Sequence, residues 1–271
     1  MIDDRTGPGS PEAGEYVLTQ DWPGEAERLA LLEAMVDPLC RRALTAAGVR
    51  PGLRCLEFGA GSGSVARWLA DRVGDPALVT ATDVDLGLLG PLAAAGVTVR
   101  RHDVVVDDFP PGSFDLIHSR AVLEHLPARE AVLDRLAGWL APDGVLVVTD
   151  CAIDTTAAVP APVGAALQAW IEVLGITGTD YAWACGFPDP LVQRSYRDVG
   201  VEWLRPDLVG GGPVARFWAL TVERLRARIV AAGLADDAVL DAALVRLTDA
   251  AFVAPAPAFV ATWGRRPVPG S

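Results

Sequence analysis

Lysine is missing from this chain: all 23 basic residues are arginine, set against 35 acidic residues for a net charge of −12. That balance excludes a nucleic-acid backbone binder, which needs clustered cations, and it disfavours docking on an anionic membrane surface. No glycine loop is followed by the lysine of a P-loop, and no G-x-S-x-G nucleophile elbow occurs. Cysteine is scarce. Cys40, Cys55, Cys151 and Cys185 are far apart, with neither a C-x-x-C pair nor a zinc-ligand spacing. No metal site is therefore expected, and the thiols read as reduced, small core residues. No uncharged run reaches membrane-spanning length, and the opening Met1-Ile2-Asp3-Asp4-Arg5 lacks the apolar segment of a secretory leader, so the expected location is cytoplasmic. Abundant Ala, Arg, Gly, Pro and Val without lysine is a habit of high-GC bacterial genomes.

Apolar residues make up 51 % of the 271, enough to bury a large core without staples. Strand and helix patterns alternate through the first half. Strand-like runs at 54–58, 78–83, 97–101, 114–118 and 145–149 are separated by helix patterns near 63–73, 86–95 and 121–140. Short turns between such units signal a parallel sheet covered by helices. A longer helix pattern starts near Pro23 and runs past Pro38. After Asp150 the rhythm changes to a helix at 163–174 and a glycine-spaced aromatic loop to Gly186. A short helix near 188–199, a strand at 201–208, helices at 214–232 and 236–250, and a closing strand at 259–263 follow. The chain divides into a tail and lid helices (1–48), a nucleoside-binding core (49–150), and a cap with closing strands of the same domain (151–271).

The richest segment is Glu57-Phe58-Gly59-Ala60-Gly61-Ser62-Gly63, a buried strand breaking into a glycine turn. The helix behind it places Val65, Ala66, Leu69, Ala70 and Val73 on one apolar face. Glycines let a backbone approach a ligand closely, and the new helix offers unpaired N–H groups above the strand. Asp83 ends the next strand at the distance where a nucleotide-binding sheet presents a carboxylate to ribose hydroxyls. The dinucleotide fingerprint needs G-x-G-x-x-G, and Ser64 departs from it, which argues against a nicotinamide dehydrogenase.

The E-x-G-x-G-x-G run resembles motif I of class I S-adenosylmethionine-dependent methyltransferases. The segment Phe114 to Pro127 resembles their motif IV and the helix after it. Leu140-Ala141-Pro142-Asp143-Gly144 resembles their L-x-P-G-G turn, with Asp143 in place of a glycine. Tyr16-Val17-Leu18 with Glu27-Arg28-Leu29 is similar to the opening of many small-molecule members. The resemblance implies a Rossmann-like, doubly wound α/β fold with a seven-stranded sheet, its last strand antiparallel, under a helical lid. It implies S-adenosylmethionine as cofactor, bound through Tyr16, Arg28, Glu57, Gly59, Ala60, Gly61, Asp83, Val84, Asp103, Val104 and Ser119. Asp103 would accept from the adenine amino group. The plainer alternatives are a helix staple for Tyr16 and a solvated helix face for Arg28.

His102 reads as exposed, and His118 as packed against the sheet. His125 is the candidate catalytic group, with Glu124 as a second candidate base. Trp170, Tyr181 and Trp183 are expected to contact the acceptor, although aromatics in a cap also serve as core. The reading is methyl transfer to a small molecule, in secondary metabolism, by a monomer or homodimer. The alternative is a cyclase, decarboxylase or regulator that binds S-adenosylmethionine without transferring methyl.

Overall fold

The computed structural model describes residues 22–267. Its strands are β1 (Cys55–Phe58), β2 (Val79–Asp83), β3 (Thr98–Arg101), β4 (Phe114–Arg120), β5 (Leu140–Ala152), β6 (Arg197–Leu204), β7 (Asp207–Val209), β8 (Val253–Pro255) and β9 (Ala258–Arg265). Its helices are α1 (Glu25–Ala46), α2 (Ser64–Val73), α3 (Gly90–Ala94), α4 (Arg129–Trp139), α5 (Val163–Gly175), α6 (Asp189–Gln193), α7 (Pro213–Ala231) and α8 (Asp237–Thr248).

Seven strands form one sheet in the order β3-β2-β1-β4-β5-β9-β6. The first five run parallel, and β9 lies antiparallel to both β5 and β6. β7 and β8 form a separate two-stranded ribbon. All four β1 residues are buried, as expected of a central strand covered on both faces. After β1 the chain moves outward to β2 and β3, then returns to the other side of β1 as β4. That reversal opens a crevice at the carboxyl ends of β1 and β4, the place where open α/β sheets take ligands.

One core packs α1, α2, α5, α7 and α8 against the sheet. The other joins α4 and α6 to the opposite face through Leu136, Trp139, Leu191 and Phe114. α2 buries the five apolar residues its periodicity predicts and ends on Gly74 at φ 81°. α1 continues through Pro38 and buries Leu29, Leu32, Val36, Leu39 and Ala43.

Several boundaries differ from expectation. The helix pattern near 86–95 forms only over Gly90–Ala94, with Pro91 at its first turn. The expected helix at 121–140 is a single 3-10 turn, Leu123–His125, followed by α4 from Arg129. Ala121 at φ 54° and Pro127 interrupt it. The strand at 201–208 is two strands broken by Pro206, and the helix near 188–199 stops at Gln193, because β6 begins at Arg197. Asp143 takes φ 65°, the conformation for which related turns use glycine.

Candidate active site

The crevice holds a cavity of about 640 Å³. Its near end is built by backbone geometry. Gly59 and Gly61 adopt φ 64° and 58°. A Cβ on Gly61 would meet no protein atom within 4 Å and Gly61 lines the cavity, so a side chain there would occupy ligand space. A Cβ on Gly59 would fall 2.3 Å from Val122 Cγ2, so this glycine is required by the approach of the chain after β4.

Asp83 lines the same end. Its Oδ2 accepts the Gly61 amide (2.9 Å) and its Oδ1 accepts the Asp85 amide (3.1 Å). Burial pushes this carboxyl up, and those amides oppose the rise. The carboxylate is thereby aimed with lone pairs to spare for ligand hydroxyls. Asp103, after β3, lines the cavity beside Val104, and its Oδ1 accepts the Val105 amide (2.9 Å). Val84 lines it too.

Glu57, Ala60 and Ser119 do not line the cavity. Glu57 is buried against His118, its register partner on β4, with Oε2 3.0 Å from Nδ1. Burial would lower His118, but the Glu57 carboxylate and the neighbouring Cys40 thiol outweigh it and hold the ring up at about 10. Glu57 therefore works beneath the turn as an internal ion-pair partner. The Ala60 amide bonds the Thr82 carbonyl (2.9 Å), and Ser119 is fully enclosed in β4. Tyr16 lies outside the described residues.

One wall is α1, through Glu25, Arg28, Leu29 and Leu32. Arg28 lines the cavity, gripped by both carboxylate oxygens of Glu25 (2.9 and 2.7 Å) and set 5.7 Å over the Phe217 ring. It is buried, so the solvated-face alternative fails. Side chains from the glycine turn, α2 and β4 fasten α1. Asp37 takes Arg120 at the end of β4 as its partner, Ser64 Oγ lies 3.2 Å from the same carboxylate, and Glu33 accepts from Ser62 in the glycine turn. Removing one member of a buried pair such as Asp37–Arg120 costs about 3–5 kcal/mol. The i, i+4 acids on α1 were the sequence signal for this fastening.

The far end is aromatic. Trp170 of α5 stacks on Tyr181 (centroids 4.8 Å) and meets Trp218 of α7 edge-on (5.1 Å). Phe217, Thr221, Thr177 and Thr179 complete this wall. The tryptophan and tyrosine rings brace one another, so the wall is preorganised. Trp183, expected among the acceptor contacts, is not part of it. Its indole N–H bonds Glu130 on the surface side (2.7 Å), and its ring packs on Phe187. His102, expected exposed, is buried between Phe109 (4.5 Å) and Trp139 (5.4 Å), and burial lowers it.

His125 stands between the two ends. Its Nδ1 is 3.3 Å from Thr179 Oγ1, its Nε2 is 3.3 Å from Glu124 Oε1, and Tyr181 meets its ring edge-on. Burial, then the positive charges of Arg28 and Arg129, press it down to about 3. The ring is thus a neutral hydrogen-bonding group rather than a ready base.

The family model described as "Methyltransferase domain" matches residues 31–188. Nocamycin O-methyltransferase from Saccharothrix syringae is 34% identical over 119 residues, 41% of this chain and 42% of that protein. The chain thus spans under half the length of that relative. Among solved structures, phosphoethanolamine N-methyltransferase 2 of Haemonchus contortus, in complex with S-adenosyl-L-methionine, superposes with a TM-score of 0.58 at 16% identity. That match covers 91% of this chain and 59% of that one. The [4+2]-cyclase SpnF gives 0.53 at 17% identity over 97% of this chain and 90% of its own. The matched family model, which spans the glycine turn, both strand-end acids and the stretch after β4, settles the kinship: the chain belongs to the class I S-adenosylmethionine-dependent methyltransferases.

Proposed function

We propose that this protein transfers a methyl group from S-adenosylmethionine to a small, largely apolar and planar acceptor, in bacterial secondary metabolism. The observation that carries the reading is the single cavity. It joins a backbone-built end at Gly61, Asp83 and Asp103 to an aromatic end at Trp170, Tyr181, Phe217 and Trp218. Asp83 suits two ribose hydroxyls, and Asp103 with the Val104 backbone suits an adenine edge. Gly61 leaves the room that a bound nucleoside would fill. The nocamycin enzyme's name supports an oxygen acceptor in a secondary metabolite. Among the described residues no helix is long and apolar enough to cross a membrane, in keeping with an acceptor met in solution.

S-adenosylmethionine supplies an electrophilic methyl on a positively charged sulfur. The protein's share is alignment and exclusion of water. Trp170, Tyr181 and Phe217 clamp the acceptor's plane. His125, kept neutral and held between Thr179 and Glu124, positions the Thr179 hydroxyl against the acceptor's polar group. Because the ring resists protonation, the site suits an acceptor that is already nucleophilic or ionised, such as a carboxylate, an acidic phenol or an amine.

The test is to incubate the protein with S-adenosylmethionine and representative aromatic carboxylates, phenols and amines, following methylated product and S-adenosylhomocysteine together by mass spectrometry. Equimolar formation of the two is expected with at least one class. Tight, saturable cofactor binding without product from any class would favour non-transferring use of the site, the activity named for SpnF.

A further inference from the structure

Five carboxylates are buried among the described residues, and three have a cationic partner. Glu25 holds Arg28 and Arg224, Asp37 holds Arg120 and Arg41, and Glu57 holds His118. Glu124 and Asp150 have no arginine in an ion pair. Glu124, in the turn after β4, accepts the Cys151 amide, and among the described residues the ring at ion-pair distance from its carboxylate is the neutral His125. Asp150, in β5, accepts the Val122 amide (3.1 Å) through Oδ1, and its buried Oδ2 has no partner.

The groups facing the pair leave it short of positive charge. Arg129 of α4 is spent on the carbonyls of Leu123, Glu124 and Gly178 and on Asp180. His118 of β4 belongs to Glu57. Cys151 of β5 is a buried thiol that its surroundings keep protonated. The position of the pair is specific. Glu124 lines the cavity, and Val122, bonded to Asp150, leans on Gly59 of the cofactor turn. Glu124 therefore meets the cavity beside His125, at the edge of the aromatic wall, and Asp150 lies fully buried behind the cavity wall, one residue before the cavity-lining Cys151.

Donor and spent product differ at the reacting sulfur by one methyl and one positive charge. We propose that Glu124 and Asp150 form the counter-charge for the donor's sulfonium, giving up a proton when S-adenosylmethionine binds and keeping it when S-adenosylhomocysteine binds, so that the site prefers fresh donor over spent product. This rests on the cavity being the cofactor site. Two enclosed carboxyls near each other cannot both ionise without a cation, and a cation brought beside them restores ionisation. Burial holds Asp150 up at about 7, and burial with the Asp150 charge drives Glu124 upward as well. The sign follows. While the free pair is protonated, the donor must displace a proton. As pH rises through the range where the free pair ionises, that cost disappears, and the donor's advantage over the product grows by up to about tenfold per pH unit for one proton.

Calorimetric titration of each ligand into the native protein at pH 7, in two buffers of different ionisation enthalpy, counts the protons released. Asp83 meets the same ribose in both ligands and cancels. S-adenosylmethionine should release more protons than S-adenosylhomocysteine, by a large fraction of one, and equal release would overturn the proposal. Asp150→Asn should shrink the donor-to-product affinity ratio by about tenfold, the cost of losing one charge partner, with product affinity within threefold of native. An unchanged ratio in a folded variant would also overturn it. Binding of neither ligand would overturn the cofactor reading itself, and this proposal with it, whereas equal proton release with normal binding overturns this proposal alone.

Discussion

The two ends of the cavity are made differently. The end proposed for the donor comes from one stretch, residues 58–103, and is lined by backbone positions and strand-end carboxylates: Gly59, Gly61, Asp83 and Asp103. The end proposed for the acceptor comes from separate stretches, with His125 after β4, Trp170 on α5, Tyr181 and Thr179 in the loop beyond, and Phe217 and Trp218 on α7. Backbone geometry tolerates few alternatives, since a positive φ and space for a ligand admit only glycine. A wall of side chains can be repacked. The donor end should therefore fail sharply on single substitutions, and the acceptor end gradually.

Gly61→Val breaks the comparison most severely. Strain at φ 58° and a side chain in ligand space should weaken S-adenosylmethionine binding at least about 100-fold, the upper range of overpacking costs. Circular dichroism should stay near native, because no protein atom is struck. Normal binding would show that the turn is not the cradle. His125→Ala should lower kcat about 10- to 100-fold through lost acceptor alignment, leaving S-adenosylhomocysteine affinity unchanged. His125→Asn should recover much of that, because a neutral hydrogen-bonding group is what the site uses. Loss of rate in His125→Asn as deep as in the alanine variant, together with a native pH–rate inflection near the ordinary histidine value, would make the ring a base after all.

The ion pair beneath the donor turn gives a smaller, pH-dependent effect. His118 is held at about 10 when folded, against 6.5 unfolded, so its contribution is fully present below about pH 6.5 and is lost as pH rises toward 10. Melting temperature should fall over that range, as unfolding free energy drops by up to about 1.4 kcal/mol per pH unit for the one proton. Glu57→Gln should flatten the curve, and an unchanged curve would contradict the pairing. The smallest effect belongs to Trp183→Ala. With its indole turned to Glu130 and away from the cavity, kcat and KM should stay within about twofold of native, as for surface substitutions. A large rise in the acceptor's KM would move the acceptor wall outward.

These differences also mark what could be read from the chain. The central strands and α2 were legible because buried runs and 3.6-residue spacing survive in any context. That Gly59, Gly61, Asp83 and Asp103 line one cavity was legible because it depends on the distance from one strand end to the next. Glu57, expected at the cofactor, points instead to His118, 61 residues away on β4, because spacing does not tell which of two faces a strand residue takes. Trp183 turns to Glu130 rather than to the cavity for a related reason: an aromatic-rich loop announces packing, not its direction. His102 was taken as exposed because the Phe109 and Trp139 rings that enclose it are supplied only by the fold. The helix expected from 121 failed at Ala121, whose positive φ follows from the sharp exit of β4 into the cavity rim and leaves no trace in an alanine.

The central claim is that one cavity has a donor end and an acceptor end that can be damaged separately. Calorimetric titration of S-adenosylmethionine into the native protein, Asp83→Ala and Phe217→Leu tests it most directly. Asp83 stands to lose two charge-assisted hydrogen bonds of about 1.5–3 kcal/mol each, so its variant should bind at least about tenfold more weakly. Phe217→Leu, a change confined to the aromatic wall, should bind the cofactor within about twofold of native. Equal affinity of Asp83→Ala and native protein, or equal losses in both variants, would contradict the account.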